Sequence, residues 1–93
     1  MQWYDVRKAY PNQWLIIEAL HAHTTRENRR ILDKIAIVDR CTDGNSAMQS
    51  YRQVHRQYPN REFYFVHTSR EELNIIERQW VGIRRDNAAV AET

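Results

Sequence analysis

The chain has 93 residues, which is room for one domain with one hydrophobic core. Hydrophobic residues make up 42% of it, including three Trp and five Tyr, and this content excludes a disordered chain. The formal net charge of +2 argues against a protein that binds nucleic acid by charge alone. Apolar runs do not exceed four residues and Cys41 is the single cysteine, so the sequence predicts no membrane span, secretory signal, internal disulfide or cysteine-based zinc site. We expect a cytoplasmic protein without a cofactor.

A β-hairpin is predicted for the first half of the chain. Trp14–Ala22 (WLIIEALHA) is rich in bulky and branched residues and is apolar on both faces, with His21 on the same face as Leu15. Ile31–Arg40 (ILDKIAIVDR) reads as a second strand, and the polar residues His23–Arg30 between them are predicted to form a loop. We therefore expect an inner strand that pairs with its successor through a long tip.

An amphipathic helix is predicted next. Thr42 or Asp43 can cap its first turn by accepting hydrogen bonds from free backbone N–H groups. Apolar residues then recur at three- and four-residue spacing, with Tyr51 and Val54 in the stripe that should face the sheet. Pro59 ends the helix, because the residue before a proline disfavours the helical conformation.

Two further strands are predicted after the helix. Arg61–Thr68 (REFYFVHT) has strand character, and Ser69 with Glu72 has capping-box spacing, which predicts a single helical turn. Residues 72–79 are compatible with helix or strand, and the apolar Leu73 and Ile75 at alternate positions favour strand.

The predicted element order is strand, strand, helix, strand, strand. This order indicates an α+β fold: a four-stranded, mainly antiparallel sheet with one amphipathic helix packed on one face. Trp side chains or a second subunit would then cover the opposite face. We assign residues 1–85 to one domain, with a bend or bulge at the glycine of Trp80–Arg85, and expect residues 86–93 to be a frayed tail.

The tripeptide Tyr-Pro-Asn occurs twice, within VRKAYPN from Val6 and VHRQYPN from Val54. Each copy follows residues that are compatible with a helix and precedes a predicted strand. Pro sets its own backbone angle and Asn tolerates turn geometry, so the simpler interpretation is one helix-to-strand corner used twice. An ancient duplication is the alternative.

The densest cluster of polar side chains is HTSREE, His67–Glu72, at the exit of a strand. We interpret it as part of a protein-binding surface, together with an aromatic anchor and an arginine further along the chain. The residues proposed for this surface are His67, Ser69, Arg70, Glu71, Trp80 and Arg84. A hydrolase that uses His67 with Ser69 or Glu71 is the less favoured interpretation, because a nucleophile also needs a base held in place by a third group.

Single-stranded RNA binding is the alternative to protein binding. Basic loops beside aromatic strands hold RNA in several small folds, with bases stacked on exposed rings. The residues that would do so here are Arg26, Arg29, Arg30 and Tyr64. His21 and His23 lie two residues apart, but no further ligand has a convincing spacing, so we predict no metal site.

Three segments together, YPNQWLIIEAL, YPNREFYFVHTSREEL and ERQWVGIR, resemble a group of short bacterial proteins of unknown function. The resemblance spans about Val6 to Arg85. Some relatives are encoded near retroviral-type aspartic proteases, which implies an accessory or partner role. The resemblance implies that a shared surface is formed by Trp14, Glu18, His67, Thr68, Ser69, Arg70, Glu71, Trp80, Gly82 and Arg84. We therefore expect a non-catalytic interaction module, with a protein partner or a second copy of the chain, rather than an enzyme.

Overall fold

A computed structural model describes residues 1–76 of the chain. It contains α1 (Trp3–Ala9), β1 (Trp14–Thr24), β2 (Arg29–Cys41), α2 (Gly44–Gln57), β3 (Phe63–His67) and β4 (Ile75–Ile76). The strands form one antiparallel sheet in the order β3-β1-β2-β4. The predicted α+β fold with a four-stranded antiparallel sheet is confirmed. The bend or bulge predicted at 80–85, the domain limit at residue 85 and the tail at 86–93 lie outside the described residues.

The hairpin of β1 and β2 is longer than predicted, and its loop shrinks to Thr25–Asn28. The loop is closed by hydrogen bonds from the Thr25 N–H to the Arg29 carbonyl (2.8 Å) and from the Asn28 N–H to the Thr25 carbonyl (3.0 Å). Asn28 has a φ of 64°, a left-handed conformation that Asn tolerates better than most residues. The polar residues on either side of this turn remain paired in the ladder, because backbone hydrogen bonds do not depend on side-chain polarity.

A bulge at Leu20 changes which side chains of β1 face the core. Ala19 lies opposite Ile35 and His21 opposite Lys34, so one extra residue is inserted in β1. Consequently Ala22, rather than His21, packs against the cluster that contains Leu15. The prediction that His21 shares the face of Leu15 is wrong, because strict alternation fails across a bulge.

The amphipathic helix α2 is confirmed as a cover for one face of the sheet. The Asp43 carboxylate accepts a hydrogen bond from the Ser46 N–H (2.8 Å) and caps the first turn. Tyr51 is buried against Ile16 and Phe63, and Val54 packs beside them. A Cβ at the first helical residue, Gly44, would lie 3.2 Å from Cζ2 of Trp14, so a glycine lets the helix start close to the sheet.

The other face is covered by α1, which the predicted order of elements omits. Val6 is fully buried in a cluster with Leu15, Ile17 and Tyr64, and Trp3 packs at its margin. A helix of seven residues is too short to show a full apolar periodicity, and it is stable here because tertiary contacts bury one of its faces. The expectation that Trp side chains help to cover this face is met by Trp3.

Residues 68–74 form turns and irregular backbone, not the helical turn predicted from Ser69 and Glu72. Capping-box spacing is a local signal, and here the Ser69 hydroxyl lies 2.8 Å from Nδ1 of His67 instead. The predicted fourth strand exists as β4, but it comprises two described residues, which pair with Arg29 and Arg30 of β2.

Candidate functional site

The turn that follows β3 fastens α1 and the start of β1 to the end of the sheet. Thr68 is buried, and its Oγ1 accepts a hydrogen bond from the Gln13 N–H (2.8 Å) while its N–H donates to the Gln13 carbonyl (2.9 Å). Nε of Arg7 donates to the Thr68 carbonyl, and Nε1 of Trp3 donates to the Arg70 carbonyl, each at 3.0 Å. Much of the HTSR motif therefore holds the fold together.

His67 and Ser69 come within hydrogen-bond reach, as a nucleophile and its base require, but the arrangement is that of a local turn. Nδ1 of His67 accepts a hydrogen bond from the Ser69 N–H (3.1 Å) and lies 2.8 Å from the Ser69 hydroxyl. The His67 ring meets the Trp14 ring edge-on at 5.1 Å. Within residues 1–76 no carboxylate bonds to His67 as an orienting third group, and Glu71 is exposed. This geometry gives a hydrolase no support.

Arg70 and Glu71 point to different environments. Nη1 of Arg70 is buried and makes no hydrogen bond. Glu71 lies on the wall of a groove of about 410 Å³ between α1, the start of β2 and residues 71–75. The same groove is lined by Arg29 and Arg30, so it brings together residues assigned to two different hypotheses. Trp80 and Arg84 lie outside the described residues.

The four residues considered for RNA binding do not form one exposed surface. Tyr64 is 2% exposed, so the prediction that its ring offers a stacking platform is wrong: it belongs to the core. Arg30 donates from Nε and Nη2 to the two oxygens of Glu62 (3.0 and 2.8 Å) and from Nη1 to Oγ1 of Thr24. Arg26 and Arg29 are exposed near the hairpin tip.

Glu62 holds the centre of a part-buried polar cluster. Besides the bidentate pair with Arg30, its carboxylate accepts a hydrogen bond from the Tyr64 hydroxyl. Burial acts to raise the pKa of Glu62, but the hydrogen bonds from Arg30 and Tyr64 outweigh it and keep that pKa below its ordinary value. Burial, together with the same carboxylate, raises the pKa of Tyr64. Both residues thus join the hairpin tip to β3, a structural role.

A second bidentate pair lies on the α2 face of the sheet. Glu18 is buried, and Nε and Nη2 of Arg61 donate to its two carboxylate oxygens at 2.7 and 2.5 Å. The Arg61 guanidinium also lies over the ring of Tyr58, 5.0 Å from its centroid. The resemblance marks Glu18 as part of a shared surface, but its carboxylate is buried and bonded to Arg61 of the same chain.

The feature that sequence reasoning missed is the outer edge of β3. Residues of an antiparallel strand direct their N–H and C=O groups alternately toward one neighbour and the other. The Glu62 carbonyl accepts from the Ala19 N–H and the Thr68 N–H donates to the Gln13 carbonyl, both at 2.9 Å, so the even-numbered residues of this stretch face β1. Phe63, Phe65 and His67 then direct their backbone groups away from the sheet.

No strand of the described chain pairs with that outer edge, since β3 ends the strand order. Between residues 1 and 76 the edge receives one backbone hydrogen bond, a long one from the Arg70 N–H to the His67 carbonyl (3.3 Å). The opposite edge is better covered: β4 pairs with β2 at Arg29 and Arg30, and Met1 exchanges two hydrogen bonds with Ile35. FYFVH contains no charge, Pro or Gly of the kind that protects edge strands, so nothing in the local sequence marks β3 as an edge.

Other site classes receive no support from the described residues. Residues 1–76 contain no group of three or more His, Cys, Asp or Glu side chains arranged to hold a metal; His23 bonds instead to Asp33, with Nδ1 2.7 Å from Oδ2. Of the helices within that range, none is long and apolar enough to cross a bilayer. No protein-family model matches the chain, and no curated protein or solved structure is significantly similar to it.

Proposed function

We propose that this protein is a non-catalytic protein-interaction module that binds an extended segment of polypeptide by strand addition at the outer edge of β3. The observation that carries the proposal is the row of outward-facing backbone groups of Phe63, Phe65 and His67 in a strand that otherwise belongs to the core. Main-chain hydrogen bonds supply the affinity in this mode of recognition. An accessory role in the cytoplasm, as the resemblance to short bacterial proteins implies, is part of the same proposal.

Burial of the strand's side chains supports an interaction through the backbone. Phe63, Tyr64 and Val66 are each at most 3% exposed. Phe63 packs on the α2 side and Tyr64 and Val66 on the α1 side, so the strand is held rigidly from both faces. A rigid edge loses little conformational entropy when it binds an incoming strand, because it is already ordered.

Flanking charges are compatible with specific pairing. Arg61 lies just before β3 and Arg70 just after it, while the five residues between Glu62 and Thr68 carry no formal charge apart from a protonated His67. Charged residues beside an apolar strand limit indiscriminate aggregation and leave the strand free to pair.

The test is a selection of binding peptides, in which the unmodified protein is compared with a chain whose β3 edge cannot accept a strand. The single Cys41 allows the chain to be assembled by chemical ligation of residues 1–40 to residues 41–93, so one backbone amide can be methylated. N-methylation of Phe65 removes an outward donor and keeps the side chain. N-methylation of Glu72, whose N–H makes no hydrogen bond in the described part, is the matched control.

A random peptide library is selected against the unmodified protein. We expect extended, apolar peptides whose affinity falls at least about tenfold for the chain methylated at Phe65 and is unchanged for the chain methylated at Glu72. Peptides that bind all three chains equally would place recognition elsewhere and overturn the proposal.

A further inference from the structure

The edge of β3 is self-complementary, and we infer that its partner is a second copy of this chain. This inference rests on the proposed function and names the strand that is added. An antiparallel pair of identical strands has twofold symmetry, which is the commonest symmetry of soluble oligomers. Two copies that pair through β3 would join their sheets into one continuous antiparallel sheet of eight strands.

The geometry of the edge selects a register. Residues that direct backbone groups outward must pair with residues that do the same, so odd-numbered positions pair with odd-numbered positions. A twofold axis at Phe65 sets Phe65 opposite Phe65 of the other copy and Phe63 opposite His67. This register pairs the whole of β3 and permits about six inter-strand hydrogen bonds.

Charge is compatible with the same register. With the axis at Phe65, Arg61 lies opposite Ser69, Glu62 opposite Thr68 and Tyr64 opposite Val66. No like charges oppose one another across the pair, and directly opposed like charges would destabilise it. An axis at Tyr64 would instead set Arg61 against His67, with fewer residues of β3 paired.

The surface beside the edge supplies apolar area that a five-residue strand lacks. Tyr58 is 46% exposed, and its ring centroid lies 6.5 Å from that of Phe63 at the start of β3. The twofold axis runs perpendicular to the sheet, so both α2 helices lie on the same side of the joined sheet. Each Tyr58 then flanks the seam. One strand and one tyrosine ring from each copy bury an area at the low end of the range for specific protein–protein interfaces. We therefore expect a reversible dimer with micromolar affinity.

The experiment compares mass and amide exchange of the full chain. Sedimentation equilibrium from about 1 µM to about 1 mM should show a monomer–dimer equilibrium. The chain methylated at Phe65 should remain monomeric throughout, and the chain methylated at Glu72 should dimerise like the unmodified protein. Exchange of the Phe63 and Phe65 amide protons should slow as concentration rises, whereas that of Tyr64 and Val66 should be slow at every concentration.

Three results would overturn the inference, and they separate it from the proposed function. If the protein is monomeric at every concentration and the Phe63 and Phe65 amides exchange rapidly, the dimer inference is wrong. Strand addition by another protein would then remain as the proposed function. A monomer with both amides protected means that the edge is closed within one chain, and both proposals fail. A dimer that persists after methylation of Phe65, or that leaves these amides unprotected, forms through another surface. If the methylated chain does not fold, the concentration dependence of amide exchange in the unmodified protein decides by itself.

Discussion

Tyr10 and Tyr58 end their helices with the same backbone geometry. The Tyr10 N–H donates to the Val6 carbonyl and the Tyr58 N–H to the Val54 carbonyl, each at 2.9 Å, and their φ and ψ angles agree within 2° (−130° and 68°, −130° and 70°). In each case a strand begins a few residues later. Both copies of Tyr-Pro-Asn lie at a helix-to-strand corner, as their composition predicts.

The two corners differ at their asparagines, which yields a matched pair of substitutions. Asn12 has a φ of 56°, whereas Asn60 has no left-handed φ. Asn12→Ala should lower the free energy of unfolding by about 1 kcal/mol, because alanine tolerates the left-handed region poorly. Asn60→Ala should change it by less than about 0.5 kcal/mol. Urea denaturation measures both, and equal effects would show that the asparagine of each corner acts through something other than its φ.

Thr68 should matter to stability far more than its neighbour Ser69. Thr68→Val keeps the side-chain shape but deprives the Gln13 N–H of its acceptor at a buried position, and we expect a loss of about 1–3 kcal/mol. Ser69→Ala removes a hydroxyl from an exposed position and should cost less than about 0.5 kcal/mol. A large loss in Ser69→Ala with a small one in Thr68→Val would reverse the roles given to the HTSR motif. Circular dichroism during urea unfolding reports both.

Glu62→Gln should destabilise the protein by about 1–3 kcal/mol, because it removes the charged acceptor shared by Arg30 and Tyr64. Tyr64→Phe is the companion change: it removes the hydroxyl and preserves both the buried ring and the Arg30–Glu62 pair. Its cost should be smaller, about 1 kcal/mol. If Glu62→Gln left the unfolding midpoint unchanged, the cluster would not contribute to joining the hairpin tip to β3.

Stability should fall in acid, and Glu62 should account for part of the fall. Its pKa in the folded chain lies below the ordinary value of 4.5, because hydrogen bonds from Arg30 and Tyr64 outweigh the effect of burial. A carboxyl group with a lower pKa in the folded state stabilises that state where it is ionised, so this contribution is complete above 4.5 and disappears as the pH falls through the folded value.

The free energy of unfolding, measured from about pH 6 down to about pH 3, should therefore decrease less steeply in Glu62→Gln than in the unmodified protein. Asp43, whose pKa is also lowered by its hydrogen bonds to the Ser46 backbone and side chain, should leave a residual slope in both. Parallel curves would show that Glu62 is not ionised preferentially in the folded state.

Residues 14–67 show which features can be predicted from local sequence. Four features follow from a periodicity or a backbone preference that acts over a few residues. They are the hairpin strands, the Asp43 cap, the apolar stripe through Tyr51 and the end of α2 before Pro59. The prediction of a helical turn at Ser69 is wrong. The Ser69 hydroxyl bonds to His67 instead of capping a helix. The seven residues of α1 are helical because Val6 is buried by residues distant in the chain, and no local pattern contains that contact.

Local sequence is enough to predict the α+β class, the central hairpin and the corner at each Tyr-Pro-Asn, since these depend on side-chain periodicity and on the conformational preferences of Pro and Asn. Three other features follow from long-range packing: Tyr64 is buried, Glu62 binds Arg30, and β3 lies at the end of the described sheet. Those features depend on which strands become neighbours, and pairing between segments distant in the chain is decided by how all the apolar faces are buried together. The outer edge of β3, with which no strand of residues 1–76 pairs, is a consequence of that strand order.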